Sequence, residues 1–339
     1  MKLRKILLLF IAVSAVFTAC NKDDEEVFVP VPLRDANEVY DEDIEEIETY
    51  LQTHFYNYEE FEQNAPYSLA NDTFQIVFDT IAGNNADKTP LMDMVDFKIV
   101  PSGDIDYKLY YLSVREGLGD VIHFTDQATL SYKGISVTDN YLFDSSVNES
   151  QLNLISVGAL AGVIPGFREG ILEFKTSDGF TDDFDGTTTY HNHGIGAVFI
   201  PSGLAYFNQA LAGVPGYTPL IFKIDLYKRT ILNHDGDAIP SYKEDLDLDE
   251  DAYDDDTDGD LVPNFLDNDD DGDGYFTNDE VEYGEYVIMT GDPEPTLAEN
   301  EFESSRDEFN GVITIQTVIV TDRNEDGVPD YLDINTIPE

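Results

Sequence analysis

The chain has 339 residues, with 70 acidic and 18 basic side chains and a formal net charge of −52. Binding to nucleic acid through its phosphates depends on clustered lysine and arginine, so this composition excludes nucleic acid as a partner. An acid excess of this size repels itself unless cations neutralise it, and the length is sufficient for two or three domains.

The first residues predict an export signal that is removed. Lys2, Arg4 and Lys5 precede an apolar run at residues 6–19, which is short for a bilayer-spanning helix but suits a cleavable signal. The run ends at Cys20, the only cysteine of the chain. This arrangement resembles the signal of a bacterial lipoprotein, which implies removal of residues 1–19 and lipidation of Cys20. An ordinary signal peptide with an incidental cysteine is the alternative.

The residues after Cys20 predict a tether. Lys22, followed by the acidic residues 23–26, resembles the surface-export signal of Bacteroidetes-type lipoproteins, although a solvated linker would have the same composition. Residues 20–36 contain two prolines and no apolar periodicity, as expected of a lipidated tether. The resemblance implies an outer-membrane lipoprotein that is held to the membrane by its N-terminal lipid and exposed on the cell surface.

Residues 37–106 predict an N-terminal segment of helical and β structure. An amphipathic helix is expected over residues 41–56, because apolar side chains recur there at helical spacing. Its apolar face consists of Ile44, Ile47, Leu51 and Phe55. Short β-like patterns follow at residues 73–81 and 97–99. No motif in this segment indicates a function.

Residues 107–230 predict an α+β domain in which antiparallel strands wrap one short helix. Alternating apolar side chains predict the strands. The strands are expected at residues 107–111, 128–132, 197–200 and 220–227. Between residues 164 and 174, Pro165 and Gly166 predict a turn into a helix. The apolar face of this helix consists of Phe167, Ile171 and Phe174.

Several short motifs follow one another within this domain. They are Tyr132-Lys133-Gly134, Phe143-Asp144-Ser145-Ser146, Val163-Ile164-Pro165-Gly166-Phe167, Leu204-Ala205-Tyr206 and Leu220-Ile221-Phe222. Their order and spacing resemble the FKBP-type peptidyl-prolyl cis-trans isomerases over about residues 107–229. The resemblance implies isomerisation of X-Pro bonds in proline-containing polypeptides, within a shallow aromatic pocket and without a cofactor for catalysis.

The resemblance also implies a role for each pocket residue. Phe167 is expected to form the floor, and Ile164 to offer its backbone N–H to the substrate carbonyl. Asp144 is expected at the rim, oriented by Tyr132, with Tyr206 as a hydrogen-bond donor. The implied walls and side of the pocket are Tyr132, Phe143, Val163, Ile164, Val214 and Phe222.

Some positions depart from the family pattern. Phe167 stands where tryptophan is common, and Asn153 stands near an expected second aromatic residue. A non-catalytic module that binds proline-containing segments or serves adhesion is therefore an alternative, as is a structural lipoprotein that retains only the fold. The presence of Tyr132, Asp144 and Tyr206 favours the enzyme.

The last segment, residues 231–339, contains a repeated pattern of oxygen-bearing side chains. Four twelve-residue loops place them at positions 1, 3, 5, 9 and 12, which is the ligand spacing of a calcium loop. Such spacing suits a hard cation that takes about six to eight oxygen ligands. The pattern resembles thrombospondin type 3 calcium repeats, which implies structural calcium. An acidic spacer without bound ions is the alternative.

Glycine occupies position 6 of the third and fourth loops, at Gly274 and Gly327, whereas Ala238 and Leu261 weaken the first two. The second loop predicts ligands Asp256, Asp258, Asp260, Asn264 and Asp267. The third predicts Asp269, Asp271, Asp273, Thr277 and Glu280. The fourth predicts Asp322, Asn324, Asp326, Asp330 and Asp333. In the first loop, with Asn233, Asp235, Asp237, Ser241 and Glu244, the absence of an ion is an equally open alternative.

Overall fold

The computed structural model describes residues 33–182 and 186–336. The predicted signal peptide, Cys20 and nearly all of the predicted tether lie outside these residues. Among the helices of the described ranges, none is long and apolar enough to cross a membrane.

A six-stranded sheet forms the centre of the protein, and each strand pairs antiparallel with its neighbours. In spatial order its strands are β3 (Asp96–Ser102), β4 (Ile105–Arg115), β9 (Gly194–Ile200), β10 (Leu220–Thr230), β5 (Gln127–Ser136) and β6 (Leu142–Asn153). The predicted α+β class with an antiparallel sheet is confirmed. The sheet also includes β3, which precedes residue 107, the predicted start of this domain; the predicted domain limits stay predictions.

A short helix, α3 (Pro165–Ile171), lies on one face of the sheet. Phe167, Ile171 and Phe174 pack there with Leu130 and Phe222 of the adjacent strands in one buried cluster. Ile164 precedes the helix in an extended conformation, and Pro165 occupies its first turn, where a missing N–H costs no helical hydrogen bond. The helix ends at Ile171, so Phe174, predicted on its apolar face, packs on the sheet from beyond the turn that follows.

The opposite face of the sheet is covered by the N-terminal part of the chain. Helix α1 (Ala36–Thr53) begins after Asp35, whose carboxylate accepts the N–H groups of Asn37 and Glu38. Its buried Ile47 and Leu51 join a second core cluster with residues of β4, β9 and β10. The side chain of Asp43 accepts hydrogen bonds from the N–H (2.7 Å) and hydroxyl (2.6 Å) of Ser202, just after β9.

The predicted helix over residues 41–56 is too long at its C-terminal end. His54 is extended, and β1 (His54–Tyr56) pairs with β2 (Phe78–Thr80), so Phe55 is in a strand rather than on a helix. The β-like region at residues 73–81 is correspondingly reduced to β2. A one-turn helix, α2 (Tyr58–Phe61), follows in the N-terminal part. Further along the chain, between α3 and β9, β7 (Gly179–Asp182) and β8 (Thr188–His191) form a hairpin.

The acidic tail contains a sheet that the sequence did not predict. Its strands are β11 (Val281–Met289), β12 (Glu301–Phe309) and β13 (Val312–Val320), with β13 in the centre. Val281 and Val318 pack on the turns of the first and fourth loops, where Ala238, Ile239 and Tyr331 are also buried. The tail therefore has a small hydrophobic core of its own.

The tail also packs against the six-stranded sheet domain. The rings of Tyr242 and His123 are stacked with centroids 3.6 Å apart and an interplanar angle of 2°. Phe265 is buried against Phe124 and Ile155 in a shared cluster. The hydroxyl of Tyr253 donates a hydrogen bond to the carbonyl oxygen of Ser156, in the segment that leads to α3.

Candidate functional site

The predicted pocket residues come together at one end of the cluster between α3 and the sheet. Phe167, Val214 and Phe222 are buried members of the cluster, while the other apolar pocket residues are only partly buried. Those partly exposed residues are Tyr132, Phe143, Val163, Ile164 and Tyr206. A buried aromatic base surrounded by half-exposed apolar side chains is suited to receive a small apolar ring.

The aromatic rings contact one another edge to face. The centroids of Phe167 and Phe222 are 5.1 Å apart at 84°, and those of Phe143 and Phe222 are 5.7 Å apart at 90°. Tyr132 extends the group, with its ring centroid 6.2 Å from that of Phe167. Edge-to-face packing of this kind fixes ring orientation as well as burying area.

Gly134, on β5, is required for this ring arrangement, and no role was predicted for it. A Cβ atom at this position would lie 2.7 Å from the ring of Phe143 and 2.9 Å from that of Phe222. Since both distances are far below van der Waals contact, any side chain would displace a pocket wall. The motif Tyr132-Lys133-Gly134 includes this glycine, but only the positions of the two rings explain why glycine is needed there.

Asp144 is exposed beside the predicted pocket residues. Its Oδ2 accepts a 2.8 Å hydrogen bond from the hydroxyl of Tyr132 on the neighbouring strand β5. Burial, this hydrogen bond and the Asp144 charge raise the pKa of Tyr132 to about 12, so its proton stays available for donation. Burial and the same charge also raise the pKa of Tyr206.

Ile164 offers a backbone donor at the mouth of the pocket. Its carbonyl accepts the N–H groups of Phe167 and Arg168 in the first turn of α3, whereas its own N–H makes no hydrogen bond within the described residues. An N–H group at this position can bind a carbonyl oxygen of a bound peptide. The pocket thus combines an apolar base with separate donor and acceptor groups at its edge.

The four loops of the tail share one local structure. In each, the side-chain oxygen at position 9 accepts the N–H of position 2, which closes the loop. These position-9 residues are Ser241, Asn264, Thr277 and Asp330. A short 3-10 turn begins at each of them. For Asn264, Thr277 and Asp330 this closing role was not predicted, and their role as metal ligands stays a prediction.

Carboxylate oxygens at positions 3 and 5 are brought together in the first three loops. Four groups of three acidic side chains have carboxylate oxygens within 4.8 Å of one another. Three of these groups consist of predicted loop residues, and one was not predicted. They are Asp235, Asp237 and Glu244; Asp256, Asp258 and Asp260; Asp269, Asp271 and Asp273; and, unpredicted, Asp245, Asp247 and Asp255. Position 12 of the third loop is Glu280, which is buried with Oε1 lacking a donor in the described chain.

The fourth loop is arranged differently. Within the described ranges its acidic side chains do not form a group of three at that distance. The carboxylate of Asp333 accepts from Asn324 (2.8 Å) and Thr336 (2.7 Å), and Asp330 lies 3.5 Å from Arg323. The oxygens of Asp322 and Asp326 accept backbone N–H groups. Spacing alone therefore supports a metal site in this loop.

Burial and mutual repulsion perturb the carboxylates of the third loop. Burial and then the charges of Asp271 and Asp273 raise the pKa of Glu280 to about 8, and burial raises that of Asp271 to about 6. In both cases burial and neighbouring carboxylates outweigh the hydrogen bonds that the described residues provide. A bound cation or protons would relieve them, and an all-oxygen group of this kind suits calcium.

Comparison with known proteins places residues 120–227 in the family described as FKBP-type peptidyl-prolyl cis-trans isomerase. Residues 234–304 match a second family, described as BamM C-terminal, which differs from the thrombospondin repeats that the loop spacing resembles. The isomerase FkpA of Buchnera aphidicola is 31% identical over 118 residues, which cover 35% of this chain and 39% of that protein. This chain thus spans about two fifths of the curated relative it matches.

Two solved structures give matches of similar extent. FkpA from Escherichia coli is 26% identical, with 36% of this chain and 48% of that chain covered and a TM-score of 0.28. A peptidyl-prolyl cis-trans isomerase from Pseudomonas syringae is 22% identical, with 36% and 74% covered and a TM-score of 0.28. The family match and the curated relative carry the assignment: the chain contains an FKBP-type peptidyl-prolyl cis-trans isomerase domain.

Proposed function

We propose that the protein catalyses cis-trans isomerisation of X-Pro bonds in exported or surface polypeptides. The observation that carries the proposal is Asp144, held by Tyr132 at the rim of a pocket based on Phe167 and Phe222. The apolar base can remove water from a bound X-Pro segment, and the oriented carboxylate holds a fixed negative charge beside it. The family assignment of the domain supports the same activity.

Physical chemistry explains why such a pocket is sufficient. Rotation about an X-Pro amide crosses a barrier of about 18–20 kcal/mol, because the planar amide has partial double-bond character. The twisted amide loses resonance and charge separation, so it is easier to remove from water than the planar form. A pocket that binds the twisted form better by about 1.4 kcal/mol accelerates rotation tenfold. No nucleophile or proton transfer is required.

Each pocket residue has a place in this mechanism. The proline ring sits on Phe167 beside Phe143 and Phe222, and the N–H of Ile164 binds a carbonyl oxygen of the substrate. Asp144 lies beside the amide carbonyl as it twists, with its position fixed by Tyr132. The hydroxyl of Tyr206 donates a further hydrogen bond, while Val163 and Val214 close the sides against water.

A protease-coupled assay with X-Pro peptides tests the activity, with hydrophobic X first because the rim is apolar. We expect full-length protein to accelerate isomerisation and Asp144→Ala to lower kcat more than it raises KM. Ser145→Ala is the matched control, because Ser145 is exposed on the same strand and should leave both unchanged. Folded, monodisperse protein without acceleration of any X-Pro peptide would refute the proposal.

A non-catalytic binding module is the second candidate, favoured by Phe167 and Asn153 at positions where the family pattern differs. A phenylalanine base is smaller than tryptophan and contacts a proline ring over less area. This candidate predicts binding of proline-containing peptides by isothermal titration calorimetry without acceleration in the coupled assay. Binding together with acceleration would eliminate it.

We also propose that the second to fourth loops hold structural calcium. The grouped carboxylates of the second and third loops support this, and the fourth rests on ligand spacing. Because grouped carboxylates repel one another without an ion, chelation should expand the tail and lower its melting temperature. Asp271→Ala and Asp326→Ala should each remove about one site in calorimetric titration. No calcium uptake at millimolar concentration would dispose of the proposal.

The anchoring proposal concerns residues outside the described ranges. We propose that Cys20 carries a lipid and that residues 22–26 direct the protein to the cell surface. Cys20→Ser should then release a folded protein from the membrane fraction. Neutral replacements of residues 22–26 should keep the lipid but abolish protease access on intact cells. Unchanged membrane association of Cys20→Ser would contradict lipidation.

A further inference from the structure

A buried carboxylate in the first loop lacks a hydrogen-bond donor in the part of the chain that the structure describes. Glu244 has 0% of its surface exposed, and neither carboxylate oxygen accepts a hydrogen bond from the described residues. Burying an ionised carboxylate without a partner is costly, and proteins avoid it by supplying a positive charge or a proton. The burial of Glu244 therefore points to a species that the described side chains do not supply.

Two neighbouring carboxylates each keep one oxygen unbonded. Ligand oxygens of Asp235, Asp237 and Glu244 lie within 4.8 Å of one another. Oδ1 of Asp235 accepts the N–H of Asp237, and Oδ1 of Asp237 accepts the N–H of Ile239. Both Oδ2 atoms are buried without a donor in the described chain. The loop thus satisfies one oxygen of each carboxylate and leaves the other for a further ligand.

A fourth carboxylate comes from a different loop. Asp270 is 2% exposed, and neither of its oxygens has a hydrogen-bond donor among the described residues. Burial and then the charges of Asp237 and Asp235 raise the pKa of Asp270, and its own charge is among those that raise the pKa of Glu244. Asp270 occupies position 2 of the third loop, which the calcium-loop spacing does not use as a ligand. A site that includes it necessarily joins the first loop to the third.

We propose that Asp235, Asp237, Glu244 and Asp270 form a cross-loop site for a calcium-sized divalent cation. The site departs from the expected ligand set of the first loop. Asn233 instead bonds within the loop to Asp237 and Gly236, and Ser241 accepts the N–H of His234. Oxygen atoms from four carboxylates suit a hard cation, and calcium accepts the irregular geometry that two loops provide. The site is additional to those proposed in the second to fourth loops.

The site has a structural consequence for the isomerase domain. Tyr242 lies two residues before Glu244 and stacks on His123 of the sheet domain. Fixing Glu244 also fixes the short turn that presents Tyr242. The cation therefore stabilises the contact between the tail and the segment around His123, in addition to joining two loops of the tail.

Calcium titration of the full-length protein, by calorimetry and native mass spectrometry, tests the site. Glu244→Gln and Asp270→Asn should each bind one calcium ion fewer than wild type. Asp279→Asn is the control, since it removes the same charge from an exposed position of the third loop. If both variants keep the wild-type stoichiometry while the other loops bind, the cross-loop site is wrong and the loop proposal stands. If wild type binds no calcium, both are wrong.

Melting temperatures separate a cation from a proton. In calcium, Glu244→Gln should lower the melting temperature because a ligand is lost. In chelator it should raise the melting temperature, because an unpaired buried charge is removed. Hydrogen–deuterium exchange around residues 120–126 should increase in Glu244→Gln only when calcium is present. A variant that is stabilised or unchanged under both conditions would mean that Glu244 holds a proton, and would overturn the inference.

Discussion

The hydroxyl of Tyr132 and the carboxylate of Asp144 are joined by a 2.8 Å hydrogen bond between adjacent strands β5 and β6. Asp144 is exposed, so without this bond its side chain would be free to rotate. The bond therefore fixes the only carboxylate among the predicted pocket residues.

Tyr132→Phe removes this hydrogen bond while keeping the ring. Loss of one hydrogen bond corresponds to about 1 kcal/mol, so we expect kcat/KM for X-Pro peptides to fall roughly five- to tenfold. Thermal stability should change little, because the ring still packs on Phe167. Tyr275→Phe, at an exposed tyrosine in the tail, should leave the assay unaffected. Activity equal to wild type in Tyr132→Phe would show that orientation of Asp144 by Tyr132 is unimportant.

Gly134→Ala should close the pocket. Its Cβ would lie 2.7 Å from Phe143 and 2.9 Å from Phe222, so at least one ring must move. Overpacking of this kind costs roughly 1–3 kcal/mol, and we expect loss of peptide binding in calorimetry together with a lower melting temperature. Gly179→Ala is the matched control, because a Cβ there meets no atom within 4 Å. Unchanged peptide affinity in Gly134→Ala would contradict the assigned pocket.

Asp43→Asn tests the buried carboxylate that joins α1 to Ser202. Burial raises the pKa of Asp43 to about 6, above the ordinary value of 3.8. The folded state therefore holds the proton more tightly than the unfolded state, and stability falls as pH rises from about 4 to about 6. Asparagine cannot titrate and still offers an oxygen to Ser202.

As pH rises from 4 to 7, the free energy of unfolding of Asp43→Asn minus that of wild type should increase by roughly 3 kcal/mol. The measurement is the difference in free energy of unfolding between variant and wild type at each pH, in which the titration of the acidic tail largely cancels. A difference that is constant across this range would show that Asp43 titrates normally.

Leu261→Gly should stabilise the second loop. Leu261 has φ +80° and is 90% exposed. Its left-handed backbone is strained, and burial of the side chain does not offset that strain. Glycine removes this strain, and the energy released exceeds the entropic cost of its greater flexibility in the unfolded chain. We therefore expect the free energy of unfolding to rise by about 1 kcal/mol. The neighbouring Val262→Gly is the control and should destabilise. Chemical denaturation in calcium and in chelator measures both, and a loss of stability in Leu261→Gly would refute the prediction.

Much of the isomerase domain could be predicted because its signals are local. Runs of apolar residues mark β5, β9 and β10, and the spacing of Phe167 and Ile171 marks α3. The pocket followed from short motifs that resemble a known family. Phe55 shows the limit of periodicity, because it continues the helical spacing of α1 but pairs with β2 instead. Tertiary pairing overrides a local pattern there.

The tail was less predictable because its structure depends on contacts that are distant in sequence. Strand β12 is polar and half-exposed, so it lacks the apolar alternation of a strand and depends on pairing with the apolar β13. Position-9 side chains also close their loops by accepting a backbone N–H, a role that ligand spacing does not indicate. Asp270 joins the first loop from the third, which no spacing within a single loop could indicate.

The hydrogen bond from Tyr253 to the carbonyl of Ser156 makes the edge of the pocket depend on a residue outside the isomerase family region. All six strands of the central sheet end by Thr230, so they are synthesised before Tyr242 and Tyr253. Ser156 lies in the segment that leads to Val163 and Ile164 at the edge of the pocket. The residues that brace this edge from outside the isomerase family region are therefore synthesised after every strand of the sheet that they support.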